Sequence, residues 1–216
     1  QGSYDNEIVI VSYDTKAVCY VDLGDIQDER IKGPIGYFID DVNGKLYIIN
    51  TQINSVDDNN HVFVFDLKSE KWEIWENAFY TFTDNFNVKD AEFHVVGKKI
   101  HILYYNGEVG YHDVFEIMNK KIFAVQSKCI TPHGSGNGYL SVYIAKLGVM
   151  MIFGCGKHFD EVWKLNINEY AAKWERCKDI KLPLELSLTG CDDAGIVVGF
   201  DTIIYMFCWN RQTLTK

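Results

Sequence analysis

Residues able to do chemistry are scattered through this sequence, not gathered into one catalytic motif. His112-Asp113, and His158 with Asp160, each join an imidazole to a carboxylate, as general acid–base work requires. Neither has a nucleophile nearby in sequence, and no Gly-x-Ser-x-Gly elbow or His-Glu-x-x-His occurs. Asp57-Asp58-Asn59-Asn60-His61 gathers oxygen ligands suited to a hard cation, but without calcium-loop spacing it reads more simply as a solvated turn. His133-Gly134-Ser135-Gly136-Asn137-Gly138 has the glycines of a phosphate cradle without its Lys-Ser/Thr, so it reads as a linker. The six cysteines contain no Cys-x-x-Cys pair, which removes the common zinc and thioredoxin signatures. The expectation is no cofactor, no metal and no catalytic residue.

What remains is recognition chemistry. Arg30 and Arg211 are rare forked donors in an acidic chain, able to grip a partner carboxylate. The run Phe79-Tyr80-Thr81-Phe82 offers either an exposed aromatic anchor or a satellite of the core.

Composition bounds the options. With 216 residues, 47% apolar and 24% charged, the chain is long and apolar enough to fold around its own core. Three Pro beside 17 Gly, 13 Tyr and 13 Phe favour strands and turns over helices. A net charge of −9 without clustered Lys and Arg argues against nucleic acid as a partner. No stretch is long and apolar enough for a transmembrane helix. Scattered cysteines, no Asn-x-Ser/Thr sequon and no signal-like start predict reduced thiols and a cytoplasmic or otherwise intracellular home. Gln1-Gly2-Ser3 reads as the remnant of a protease-cleavable tag.

The elements that must position these residues repeat about every fifty positions. The stretch 64–75 (VFDLKSEKWEIW) aligns without a gap onto 114–125 (VFEIMNKKIFAV), and a third copy runs from 162–165 through a longer turn to 173–177. Each is strand, polar turn, strand. Upstream of each lies another hairpin: 36–49 turning at Asn43-Gly44, 91–105 turning at Gly97, and 139–153 turning at Leu147-Gly148. Asn-Gly between apolar runs predicts a type I′ turn. The unit is therefore four short antiparallel strands, a to d. Such a unit cannot bury both faces alone, and stacking its copies radially as propeller blades supplies the missing core.

The ends complement each other. Residues 7–23 read as a c–d hairpin with no a–b before it, and 195–209 as an a–b hairpin with no c–d after it. Whole blades at about 33–75, 88–127 and 138–179, plus this split blade, predict an all-β propeller of four blades. Pairing 203–209 with 7–14 would close the ring and hide both sheet edges.

The blades resemble kelch repeats. The resemblance rests on Phe65-Asp66 followed by Trp72, on Tyr13-Asp14 in the split blade, on Gly154-Cys155-Gly156 in place of a double glycine, and on Trp174 after a longer turn. In the second blade Glu116 and Ile122 stand where the pattern has Asp and Trp. The resemblance implies a non-catalytic module that binds another protein, as in the substrate-receptor parts of larger assemblies. In a propeller the b–c and d–a loops share one face and carry recognition. The candidate contacts there are Arg30, Asp57, Asp58, Tyr80, Tyr111, His133, His158 and Arg211. A second reading has loop carboxylates at the mouth of a central channel doing glycosidase-type chemistry or binding a small ligand.

Overall fold

Near-continuous apolar runs such as Leu46-Tyr47-Ile48-Ile49 require a sheet covered on both faces, and the observed architecture provides it. The computed structural model of the chain describes residues 7–11, 18–22, 35–50, 60–82, 91–106, 109–131, 139–154, 160–169, 172–182, 194–198, 202–208 and 213–215. Every regular element among them is a strand, and among them no helix is long and apolar enough to cross a membrane.

Strands β1 (Glu7–Val11) and β2 (Val18–Asp22) pair as an antiparallel hairpin. β3 (Ile35–Asp40), β4 (Lys45–Asn50), β5 (His61–Asp66) and β6 (Lys71–Trp75) form a four-stranded antiparallel sheet in sequence order. The next sheet contains β7 (Phe79–Tyr80), β8 (Glu92–Val96), β9 (Lys99–Asn106), β10 (Val109–Met118) and β11 (Lys121–Thr131). Its order is β7-β11-β10-β9-β8, with β7 parallel to β11. β12 (Tyr139–Ile144), β13 (Val149–Gly154), β14 (Val162–Asn166) and β15 (Glu175–Arg176) repeat the four-stranded antiparallel order. β16 (Ala194–Val198), β17 (Ile204–Cys208) and β18 (Thr213–Thr215) complete the set.

The sheets stack face to face. One face of β3–β6 meets Val21 of β2 through Leu46, Ile48, Phe63 and Phe65. The other offers Tyr47, Ile49, Val62 and Val64 to Ile100, Ile102, Tyr104 and Phe115 of the next sheet. Leu103 packs against Met150, Ile152 and Leu165, and Val142 and Met151 pack against Met206. Period-two alternation thus feeds two different cores from one strand, at about 2 kcal/mol per buried large side chain. The first strands β3, β8, β12 and β16 lie next to one another in succession.

Turn chemistry explains the repeat. Gly44, Gly97 and Gly148 all take positive φ, at 62°, 61° and 64°, which only glycine adopts freely. The Asn43-Gly44 turn is not type I′, however, because Asn43 keeps a negative φ. Strand pairing ends at Asp40 with Lys45, and the Asp40 carboxylate accepts from Asn43 N (3.1 Å) and Nδ2 (2.7 Å), which fixes a wider loop. The type I′ turn occurs instead at Asn119-Lys120, φ 53° and 59°, so β10 and β11 pair two residues beyond β5 and β6. In the first copy Asp66 stops the strand, accepting from Lys68 N, Ser69 N and Ser69 Oγ.

The third copy is also displaced. Gly44 O accepts from Leu67 N, and Gly148 O from Ile167 N, so Asn166 rather than Lys164 is the counterpart of Asp66. The shift of two preserves the buried face, which is why the sequence alignment tolerated it.

Closure differs from expectation. The edge of β17 that was to meet β1 is taken by β18, with Met206, Phe207 and Cys208 opposite Thr215, Leu214 and Thr213. Among the described residues β1 pairs with β2 only. The chain returns on itself after β17, and the nearest strand in sequence takes the free edge.

Candidate functional site

A row of polar side chains lies between the β8–β11 and β12–β15 sheets. On β8, Phe93 and Val95 turn toward the β3–β6 sheet. Alternation therefore sends Glu92 and His94 to the opposite face. His94 is paired in register with His101, and His101 Nδ1 lies 2.9 Å from His112 Nε2. Three imidazoles and a carboxylate thus form a row across three strands. His101 and His112 are buried, and one ring must donate to the other, so the two hold complementary tautomers. The Trp174 ring lies 6.0 Å from His112.

Ser141 of β12 completes the inner end. Its backbone N–H donates to Glu92 Oε2 at 2.8 Å, and its hydroxyl donates to the same oxygen. With that proton committed, Ser141 Oγ accepts from His94 Nε2 at 2.5 Å. The Glu92 side chain keeps 35% of its surface accessible. Burial pushes its carboxyl above the ordinary range, partly offset by the Ser141 bonds, and burial pushes His94 down to about 4. Both groups are driven toward neutrality.

A serine, a histidine and a glutamate together invite comparison with a nucleophilic triad, but the wiring differs. A triad needs the imidazole to accept the hydroxyl proton while the acid holds Nδ1. Here the acid takes the hydroxyl proton, and its near approach to His94 is to Nε2, at 3.9 Å. The cluster is a clasp between the first strands of two sheets. Among the described residues no three His, Cys, Asp or Glu groups converge as metal ligands.

On the other face of the same strands, Tyr104 OH donates to Asp113 Oδ2 at 2.6 Å. The His112-Asp113 pair noted in the sequence is therefore divided: adjacent strand residues face opposite ways, and each belongs to a different inter-sheet layer. Two register shifts on the β10–β11 ladder fall beside them, after His112 and after Val114.

Of the expected contact residues, Arg30, Asp57, Asp58, His133, His158 and Arg211 lie outside the described residues. His61, grouped with Asp57 and Asp58 as a ligand run, is the buried first residue of β5, its ring edge-on to Phe63. Tyr111 is not in a loop. It lies within β10, half-buried and stacked on Tyr104 at 5.2 Å, because the ladder runs on to Asn106 opposite Val109. Tyr80 is 38% exposed, stacked on Phe123 at 4.8 Å, and its hydroxyl accepts from Lys121 Nζ at 3.0 Å.

The aromatic run divides accordingly. Phe79 is core, stacked on Phe115, whereas Phe82 is exposed. The expected loop after β6 instead begins as a strap: Ala78 N donates to Asn60 O, and Ala78 O accepts from Ile122 N, tying one sheet to the next.

Sequence reasoning passed over Glu92, His94, Ser141 and His101. A signal existed in Glu92-x-His94, two polar residues on one face of an otherwise apolar strand. Their partners lie 47 to 49 residues away in the chain, which only stacking brings together. No protein-family model matches the chain, and no curated protein matches it.

Proposed function

We propose that the chain is a kelch-like β-propeller module that acts inside the cell and binds another protein through its b–c and d–a loop face, without catalysing a reaction. Face-to-face stacking of four-stranded antiparallel sheets with their first strands adjacent is the arrangement of blades about an axis, and it supports the propeller reading. The observation that carries the function is the asymmetry of the connections. One end of the stack has mostly tight turns, at 41–44, 67–70, 97–98, 119–120 and 145–148, with the eight-residue connection 167–174 the exception. The other has mostly long connections, at 51–60, 81–91, 132–138, 155–161 and 177–193. Long loops on a rigid scaffold are where recognition sits.

A photo-crosslinking amino acid at positions 54 and 134, compared with positions 74 and 125 on the outer strands β6 and β11, tests this in extracts of the source cells. Adducts of discrete mass from the loop positions alone are expected. Equal adducts from the outer strands, or none from the loops, would refute it.

A second reading has one specific observation behind it: the Glu92–Ser141–His94 cluster on adjacent first strands, which in a propeller flank the central channel. It carries one carboxylate, whereas glycoside hydrolysis uses a pair. Hydrolysis of aryl glycosides or esters that is abolished by Glu92→Gln would favour it.

A further inference from the structure

The Asn43-Gly44 pair in the turn from β3 to β4 has a chemistry of its own. Asparagine followed by glycine is the sequence most open to spontaneous deamidation, because no side chain on the second residue shields its backbone nitrogen. Gly44 N attacks the Asn43 side-chain carbonyl carbon. The new C–N bond replaces the bond to Nδ2, and ammonia leaves with the proton lost from Gly44 N. Water then opens the cyclic imide at either carbonyl, giving aspartate or an isoaspartyl link. Water is the only co-reactant.

The chain has three such pairs, Asn43-Gly44, Asn106-Gly107 and Asn137-Gly138, and only the first lies wholly within the described residues. There the pair is open to water but held. Asn43 is exposed, yet its backbone N–H and its Nδ2 both donate to the carboxylate of the buried Asp40, at 3.1 and 2.7 Å. Gly44 has φ 62°, and its carbonyl accepts from Leu67 N at 2.9 Å, which ties the turn to the one after β5. Pairing of Asp40 with Lys45 closes the loop. Ring closure draws the Asn43 amide and the Asn43–Gly44 peptide together, which these anchors oppose. It also removes Nδ2, one of the two donors to Asp40.

The product fits the turn poorly. A carboxylate at position 43 stands where the amide donated, against the Asp40 carboxylate and with Asp41 nearby in the turn, and carboxylates sharing one site repel. An isoaspartyl link adds a methylene to the backbone of a four-residue turn. Phe38 and Tyr47, on either side of that turn, belong to the core shared with the next sheet. Loss of the cap therefore reaches the packing between sheets.

We propose that Asn43 is a site of spontaneous deamidation that the Asp40 cap keeps latent, reacting through the opened β3–β4 turn and, once converted, unable to re-form the cap. Reaction through an open state makes the converted fraction a record of how often the turn has opened. The modification needs no partner, so it stands or falls apart from the loop-face reading.

The test is peptide mapping by mass spectrometry after incubation in warm, mildly alkaline buffer, with and without denaturing urea. Asn106 and Asn137 serve as controls in the same chain. In urea the three pairs should convert at similar rates. Without urea Asn43 should convert at least about tenfold more slowly than with it. Asp40→Ala should recover most of that difference, and Asp40→Asn, which keeps one acceptor oxygen, should fall between. Asn43→Asp, which mimics one product, should unfold at lower urea than the parent. The proposal is overturned if Asn43 converts as fast in buffer as in urea, or if it fails to convert in urea while Asn106 and Asn137 do. A folded Asp40→Ala protein with the parent rate, or an Asn43→Asp protein with the parent urea midpoint, would also overturn it. If Asp40→Ala does not fold, the parent compared in buffer and in urea still decides.

Discussion

Replacing His94 with Gln should flatten the acid limb of the protein's stability profile. An unperturbed imidazole titrates near 6.5, and burial holds His94 at about 4. Between these values the unfolded chain binds a proton that the folded chain excludes. The stability contributed by the neutral ring is therefore complete above about pH 6.5 and is lost as pH falls toward about 4. Going from pH 8 to pH 5 should cost about 2 kcal/mol through this residue, at about 1.4 kcal/mol per unit inside the window. Glu92 acts in the opposite sense. Its raised carboxyl contributes stability that is complete below the ordinary carboxylate range and is lost as pH rises through the folded value.

Taking the difference between parent and His94→Gln at each pH isolates the imidazole from groups common to both. The assay is urea unfolding followed by tryptophan fluorescence at constant ionic strength. The parent should lose about 2 kcal/mol more than the variant between pH 8 and pH 5. In parallel, the His94 Cε1–H resonance of the folded protein should stay still down to about pH 5. A ring titrating near 6.5, or parallel pH profiles for the two proteins, would refute the burial argument.

Three further outcomes follow from geometry. Gly148→Ala should destabilise more than Gly44→Ala: both force a side chain into positive φ, at roughly 1 kcal/mol, but a Cβ at Gly148 also runs into the Asn168 amide, whereas at Gly44 it meets open space. Urea midpoints would show the gap, and Asn168→Ala should close it. Phe115→Ala should cost about 3–5 kcal/mol in the same assay, because the ring is fully buried and stacked on Phe79 between two sheets. Ser141→Ala should cost about 1–3 kcal/mol by leaving Glu92 without its hydroxyl donor. That loss should shrink as pH falls through the folded carboxyl's own titration, because protonation relieves the carboxylate.

Much of the fold could be read from the sequence because strand and turn signals are local. The turn glycines 44, 97 and 148 marked each hairpin, and each has the positive φ that justifies a glycine. Turn type was less legible. Asn43-Gly44 has the type I′ sequence, but Asp40 offers a competing side-chain cap, and the type I′ turn fell on Asn119-Lys120, a pair without glycine. Tyr111 was misassigned because nothing local tells a short connection from a continuing ladder. Its stack on Tyr104 comes from cross-strand pairing, which extends the strands.

The sequence by itself determined the all-β class, the four-strand unit and its period of about fifty residues, since alternation and turn residues act over a few positions. Only the tertiary structure decided which edge β17 pairs with, that Ala78 straps one sheet to the next, and that Glu92, His94 and Ser141 meet. Each of these depends on contacts with no local signature. Their partners are chosen by which faces need covering and which edges are free once the sheets have stacked, and those competitions are settled in space.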